Sequence, residues 1–355
     1  MSARVNRRVS SGAQGVRYDR LSSRCHHFDW MGDPSGADWH MPHFAVRVLF
    51  TSVPSVGHLH PMLPLARAFL ARGDEVLWAT GADACERLRA ENLATEPAGL
   101  NEVDGMVEFR KRYPEVAALP APDVPDFMFP RLFGAVRASA FLRDALPIAG
   151  AWAPDLLVCD AAELAGPIIA ALHGVPNVTH AFGSLLPPSR VAAAGEAVAD
   201  LWEAQGLERR PFAGCYDHMY VGIYPPSLQR GAADHVGDVQ LLRPEGIATG
   251  GEPLPDLVTS SGDGPLLYVT LGTLFSNDEV LRAAVAALAE LPVRLVVTVG
   301  PRGDPAVLGH QPANVHVGRY IAQQELLPRC AAVVSHGGSG TFLAALAAGL
   351  PQLCL

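Results

Sequence analysis

A short apolar run, Ala332-Val333-Val334-Ser335, passes without a break into His336-Gly337-Gly338-Ser339-Gly340-Thr341, and an apolar helical pattern follows to Gly349. No other stretch constrains the fold as much. A short, β-branched apolar run reads as a strand buried on both faces. Glycines placed directly after it remove Cβ atoms where the backbone turns, so main-chain N–H groups can approach a ligand closely. A helix opening at Thr341 offers unpaired N–H groups and positive potential at its first turn. Together these features form a cradle for a diphosphate, to which His336 and the Thr341 hydroxyl add hydrogen bonds. No Gly-Lys-Ser/Thr follows, so this is not the triphosphate-binding loop. A tight strand–helix turn that needs glycine only for its geometry is the alternative.

The same strand–turn–helix order appears near the front. Val46-Arg47-Val48-Leu49-Phe50-Thr51 reads as a buried parallel strand, and Pro54-Ser55-Val56-Gly57 as a turn. Met62, Leu63, Leu65, Ala66, Phe69 and Leu70 then recur at helical spacing, with Pro61 suited to a first helical turn and Gly73 to the position after the last. Glu75 to Thr80 is the next strand. Such a β-α-β unit predicts a Rossmann-like parallel sheet. Its first loop reads Val56-Gly57-His58-Leu59-His60-Pro61 rather than GxGxxG, which removes the main support for a nicotinamide cofactor. His58 falls at the C-terminal edge of a strand, where open α/β sheets bind ligands, and an imidazole there can act as a general base. A helix cap or an exposed loop histidine is the alternative. Residues 104–135 mix proline, aromatic and charged residues and predict a long loop with short helices, lining an apolar pocket or simply packing beneath it. Pro154 to Asp160 is a further strand, followed by a helix ending at Gly174 and a strand over 175–181. Asp160 thus lies on the same rim as His58. It can accept the imidazole N–H and fix its tautomer, or merely cap the next helix.

Composition narrows the class of protein. With 49% hydrophobic and 18% charged residues, the 355-residue chain can bury two domain cores. The net charge of −9, without a basic stripe, speaks against a nucleic-acid partner. Six scattered cysteines without metal-ligand spacing fit reduced thiols and a cytoplasmic setting. No apolar run reaches the roughly 18 residues a membrane span needs, so stable membrane insertion is not expected. Residues 1–45 lack periodic apolar residues and predict a disordered extension, with Met41 as a candidate start. Residues 46–243 form the first domain, 244–264 a Gly/Pro-rich linker and 265–355 the second domain. The second domain begins with the strand Leu266 to Thr270, and its other strands are expected at 294–299, 315–317 and 332–335.

These residues resemble the GT-B glycosyltransferases of family 1, and within it the actinobacterial enzymes that glycosylate antibiotic-like natural products. The resemblance covers about residues 46–355. It rests chiefly on Gly57-His58-Leu59-His60-Pro61 and on 336–341, with weaker support from Val269-Thr270-Leu271-Gly272-Thr273 and Arg319-Tyr320-Ile321-Ala322-Gln323. It implies two Rossmann-like domains facing across a cleft, the first holding a lipophilic acceptor and the second a nucleotide sugar. By the resemblance, His58 is the general base and Asp160 its partner. His336, Gly338, Gly340 and Thr341 bind the donor diphosphate, Gly272 and Thr273 close over it, and Tyr320 and Ile321 contact the nucleobase. Ala322 and the residues around Tyr320 depart from the usual family pattern, which leaves dTDP- and UDP-sugars both open. The implied reaction is a single displacement with inversion, using a nucleotide-sugar co-substrate and no cofactor; no D-x-D occurs in the chain, so no metal is called for. Family members continue past the position of Leu355, which implies a C-terminally truncated chain with an incomplete second domain. A lipid-linked transferase, a sugar-nucleotide epimerase and an inactive helper protein are the alternatives. Oligomeric state is not legible.

Overall fold

Twelve short strands, nearly all apolar, build two wholly parallel sheets in a computed structural model that describes residues 45–231, 233–245, 252–260, 262–272, 277–301 and 303–355. The expected extension over 1–45 therefore lies outside the described residues up to position 44, as do parts of the 244–264 linker. Residues 45–355 form one compact unit.

The first sheet contains β1 (Arg47–Thr51), β2 (Glu75–Thr80), β3 (Ala94–Pro97), β4 (Leu156–Asp160), β5 (Asn177–His180), β6 (Met219–Gly222) and β7 (Asp238–Leu241) in the order β3-β2-β1-β4-β5-β6-β7. The second contains β8 (Leu266–Thr270), β9 (Arg294–Thr298), β10 (Val315–Gly318), β11 (Ala332–Ser335) and β12 (Gln352–Cys354) in the order β10-β9-β8-β11-β12. Alternate residues of each strand feed separate cores on the two faces. Val48, Phe50, Val76 and Trp78 pack on one face of the first sheet, and Leu49, Leu77 and Leu157 on the other. In the second sheet Tyr268, Val296 and Val333 share one face, and Val269, Val297 and Val334 the opposite one. Burial on both faces is why these strands read as near-continuous apolar runs.

Helix α1 (Val56–Arg72) follows β1 and ends where the sequence predicts, at Gly73 in the left-handed conformation with φ 91°. Its start differs from the expectation. The helix begins at Val56, so Pro61 and Pro64 lie inside it. Neither proline can donate to the carbonyl four residues before it, yet Leu59, Met62, Leu63 and Ala66 are buried against the sheet and hold the helix in register. His58 is consequently on the first helical turn rather than in a free loop.

The segment expected as a long loop with short helices over 104–135 does contain short helices, but they take up most of it. It comprises α2 (Glu102–Arg112), short 3₁₀ turns, a single α-helical turn over Val124–Met128, and a π-helical stretch over Phe129–Ala138 that runs into α3 (Ser139–Trp152). Most of its aromatic residues pack with one another around Phe109, Leu132 and Val136. Further on, α4 (Gly166–His173) connects β4 to β5, and α5 (Ser339–Ala347) follows β11. Helix α5 opens two residues before Thr341. Leu343 on α5 packs with Ala181, Tyr220, Ile223 and Val236 of the first half, and Phe342 stacks on Tyr224 with ring centroids 5.8 Å apart.

Candidate active site

Both sheets reverse strand order at one place, and that place is where open α/β sheets bind ligands. In the first sheet the switch lies between β1 and β4, and in the second between β8 and β11. His58 follows β1 and Asp160 ends β4. Gly272 follows β8 and His336 follows β11. His58, Gly272 and His336 line a single cavity of about 400 Å³, together with Gly338, Gly340 and Thr341.

The His58 Nδ1–H donates to Asp160, with Nδ1 2.9 Å from Oδ2 and 3.1 Å from Oδ1. Asp160 is 1% exposed, and its two oxygens also accept from the backbone N–H of Val53 (3.4 Å) and Ala162 (3.2 Å). A carboxylate receiving three N–H groups is locked in orientation. The proton on Nδ1 leaves the lone pair on Nε2. Phe182 lies against the His58 ring at a centroid distance of 4.2 Å and Phe133 at 5.8 Å, so the imidazole works beside apolar surface. Phe133 is the residue of the 104–135 segment that reaches this site.

The glycine-rich turn is built around the His336 ring. Gly337 takes φ 71°, and its N–H donates to the Ser335 hydroxyl at 3.1 Å. Gly272 takes φ 84°. A Cβ at Gly272 or at Gly338 would overlap His336, so the ring is held between two residues without side chains. Burial lowers the His336 pKa, favouring a neutral ring in the absence of an anion. Gly338 caps α5, whose first-turn N–H groups open on the cavity with Ser339, Gly340 and Thr341. The Thr341 hydroxyl accepts from Gln323 Nε2 at 3.0 Å, and Gln323 itself lines the cavity. Thr273 lies outside the described residues.

Tyr320 lines the cavity, but Ile321 does not. Its side chain is 1% exposed and packs in the second domain's core with Val258 and Leu326, because the strand-like bridge from Glu252 to Ile321 turns it inward. Any contact from Ile321 to a ligand in the cavity is thus confined to its backbone. Several lining residues were not singled out from the sequence. Tyr268, Thr270 and Thr298 link their hydroxyls at 2.8 and 3.0 Å, and Gly272 N–H donates to Thr270 at 3.2 Å. His180, at the end of β5, is another. The available signal was the same for all of them: a polar side chain at or near the C-terminal end of a buried strand.

Two doubly wound halves, each opening its switch point onto one cleft with an imidazole–carboxylate pair on one side and a glycine-rich strand–helix turn on the other, define a group transferase of the GT-B fold. Comparison with known proteins agrees. Residues 282–355 match the family described as Erythromycin biosynthesis protein CIII-like, C-terminal domain. The elloramycin glycosyltransferase ElmGT of Streptomyces olivaceus is 32% identical over 345 residues, covering 87% of this chain and 80% of the relative. The L-demethylnoviosyl transferase of Streptomyces niveus is 31% identical over 314 residues, covering 87% and 79%. Among solved structures, the glycosyltransferase SnogD from Streptomyces nogalater aligns with a TM-score of 0.68 at 28% identity, over 88% of this chain and 81% of that one. VinC in complex with dTDP aligns with a TM-score of 0.68 at 26% identity, over 87% and 80%. The chain belongs to the GT-B glycosyltransferases of actinobacterial natural-product biosynthesis.

Proposed function

We propose that this enzyme transfers a sugar from a dTDP- or UDP-sugar to a hydroxyl of a lipophilic natural-product acceptor, with inversion at the anomeric carbon and His58 as general base. The observation that carries the reading is that His58, held from behind by buried Asp160, and the His336 turn line one cavity. A hydroxyl is too weak an acid to attack unaided. Nε2 of His58 takes its proton as the oxygen bonds to the anomeric carbon, and Asp160 stabilises the imidazolium that forms. The bond from that carbon to the diphosphate oxygen breaks as the new one forms. The leaving diphosphate carries away the electron pair, and its charge is met by the first-turn N–H groups of α5 and by His336. A single displacement of this kind inverts the carbon.

The dTDP bound to VinC supports a nucleoside diphosphate in the second-domain cradle. The rings of Phe182 and Phe133 beside His58 support an apolar acceptor. No step of the reading uses a metal. Proton NMR of a product formed in the presence of EDTA tests these statements together. The expected product has the anomeric configuration opposite to that of the donor. Retention would contradict the single displacement, and loss of turnover in EDTA would contradict the metal-free reading.

A further inference from the structure

Asp160 has a second imidazole beside it. Asp160 and His180 are register partners on the parallel strands β4 and β5, so their side chains leave the sheet on the same face. Two residues beyond His180 the chain places Phe182 against His58. The tail of β5 therefore frames the dyad from both sides, with one ring next to the carboxylate and another against the base. The backbone is fixed here as well, since Ala161 N–H donates to the His180 carbonyl at 3.0 Å and Ala181 N–H donates to the Val221 carbonyl at 2.9 Å.

His180 is 1% exposed, yet it lines the same cavity as His58 and His336. Its Nδ1 lies 2.7 Å from the carbonyl oxygen of Ala181. A carbonyl only accepts, so Nδ1 carries the proton and Nε2 carries the lone pair. Among the described residues no hydrogen bond reaches Nε2. A fully enclosed acceptor needs a donor from the protein itself, whereas one on a cavity wall can take its donor from a ligand. Burial lowers the His180 pKa to about 4, outweighing the upward effects of its Ala181 hydrogen bond and of Asp160. The ring is therefore neutral near pH 7 and serves there as neither cation nor proton store. It is a neutral ring on the wall of the cavity, with Nε2 as its acceptor.

We propose that His180 Nε2 accepts a hydrogen bond from a substrate hydroxyl next to the reacting centre and so fixes which hydroxyl is presented to His58. This inference rests on the transferase reading above. The hydroxyl belongs either to the donor sugar or to the acceptor, and the same chemistry recognises both.

The test uses His180→Phe, which keeps a ring without an acceptor, and His180→Gln, whose amide oxygen can reach the place of Nε2. Titration with dTDP and UDP monitors the fold and the cradle and should give affinities within about twofold of wild type. His180→Phe is expected to lower kcat/KM by about 10- to 100-fold for the substrate that carries the hydroxyl, and His180→Gln to restore most of the loss. A rise in KM for the nucleotide sugar assigns the hydroxyl to the sugar; a rise for the acceptor, with altered regiochemistry, assigns it to the acceptor. Should His180→Phe not fold, ¹⁵N spectra of the histidine rings in the wild-type enzyme replace it. The His180 Nε2 resonance is expected to move upfield on adding substrate but not on adding the nucleoside diphosphate alone. Equal losses in both variants, unchanged kinetics in His180→Phe, or an unmoved Nε2 resonance would overturn the proposal. Turnover that survives His58→Ala would instead refute the base assignment, while the binding readouts at His180 stay interpretable.

Discussion

Asp160→Asn changes one atom and tests the dyad from its buried side. Oδ1 of Asp160 accepts from Ala162 N–H at 3.2 Å, Oδ2 accepts from Val53 N–H at 3.4 Å, and His58 Nδ1 reaches both. An asparagine has only one oxygen for these donors. With that oxygen at the Oδ1 position, the amide NH₂ faces His58 Nδ1 at the 2.9 Å position and donates to it. The ring then carries its proton on Nε2 and has no lone pair for the acceptor hydroxyl. With the amide flipped, His58 keeps its tautomer, but the NH₂ group faces the Ala162 N–H. Either arrangement leaves a buried donor unpaired, at about 1–3 kcal/mol of stability. The first also removes the base. In a hydrolase with the same imidazole–carboxylate geometry, the equivalent change lowers kcat by about 10⁴, so a loss of about a thousandfold or more is expected here. Steady-state release of nucleoside diphosphate with phenolic and polyketide-like acceptors gives kcat, thermal unfolding gives the stability cost, and calorimetric titration with dTDP checks the cradle. A variant that folds, binds dTDP and retains kcat within tenfold of wild type would refute the assigned pairing.

Gly338→Ala should weaken dTDP or UDP binding by about 10- to 150-fold in calorimetry, because the new Cβ displaces the His336 ring and costs one charge-assisted hydrogen bond; unchanged affinity would show that His336 does not touch the phosphates. Glu163, 3% exposed behind Asp160, supplies a pH signature. Burial raises its pKa to about 7 in the fold, partly offset by the N–H groups of Ala165 and Gly166 and by the Thr51 hydroxyl. Between the open-chain value of 4.5 and 7 the folded state holds the extra proton, so this residue's contribution falls as pH rises, by about 3 kcal/mol across the window. His60 and His180, both lowered to about 4 chiefly by burial, pull the opposite way. The stability difference between wild type and Glu163→Gln isolates the glutamate. It should decline from pH 4.5 to 7, and a flat difference would contradict the shift.

Much of this architecture was legible because buried parallel strands leave a plain mark. β1, β4, β8 and β11 were readable as apolar runs, and the polar residues just past them marked the rims. What was less legible has specific causes. Pro61 read as a helix start because proline suits the first turn, but apolar packing by Leu59, Met62 and Leu63 carried α1 back to Val56 and brought His58 onto the helix. The prolines at 120, 122, 125 and 130 suggested a long loop with only short helices over 104–135. They sit in the first turns of successive short helical pieces, or just before one, where their missing N–H groups cost little, so the pieces follow one another with little loop between. The resemblance implied base contacts for Tyr320 and Ile321 together, but alternation along an extended segment sends adjacent side chains opposite ways, so only Tyr320 lines the cavity. His180 escaped notice because a lone histidine ending a strand has no local context. Its meaning comes from the register with Asp160, and that is a property of the sheet.

In the proposed reaction His58 removes the acceptor proton, in a site whose donor half stands independently of it. The most direct measurement is turnover of His58→Ala alongside its affinity for dTDP and UDP. Transfer is expected to fall by about a thousandfold or more while nucleotide affinity stays within about twofold, because the turn of His336, Gly338 and the first turn of α5 does not include His58. Transfer at the wild-type rate in a variant that still binds nucleotide would contradict it.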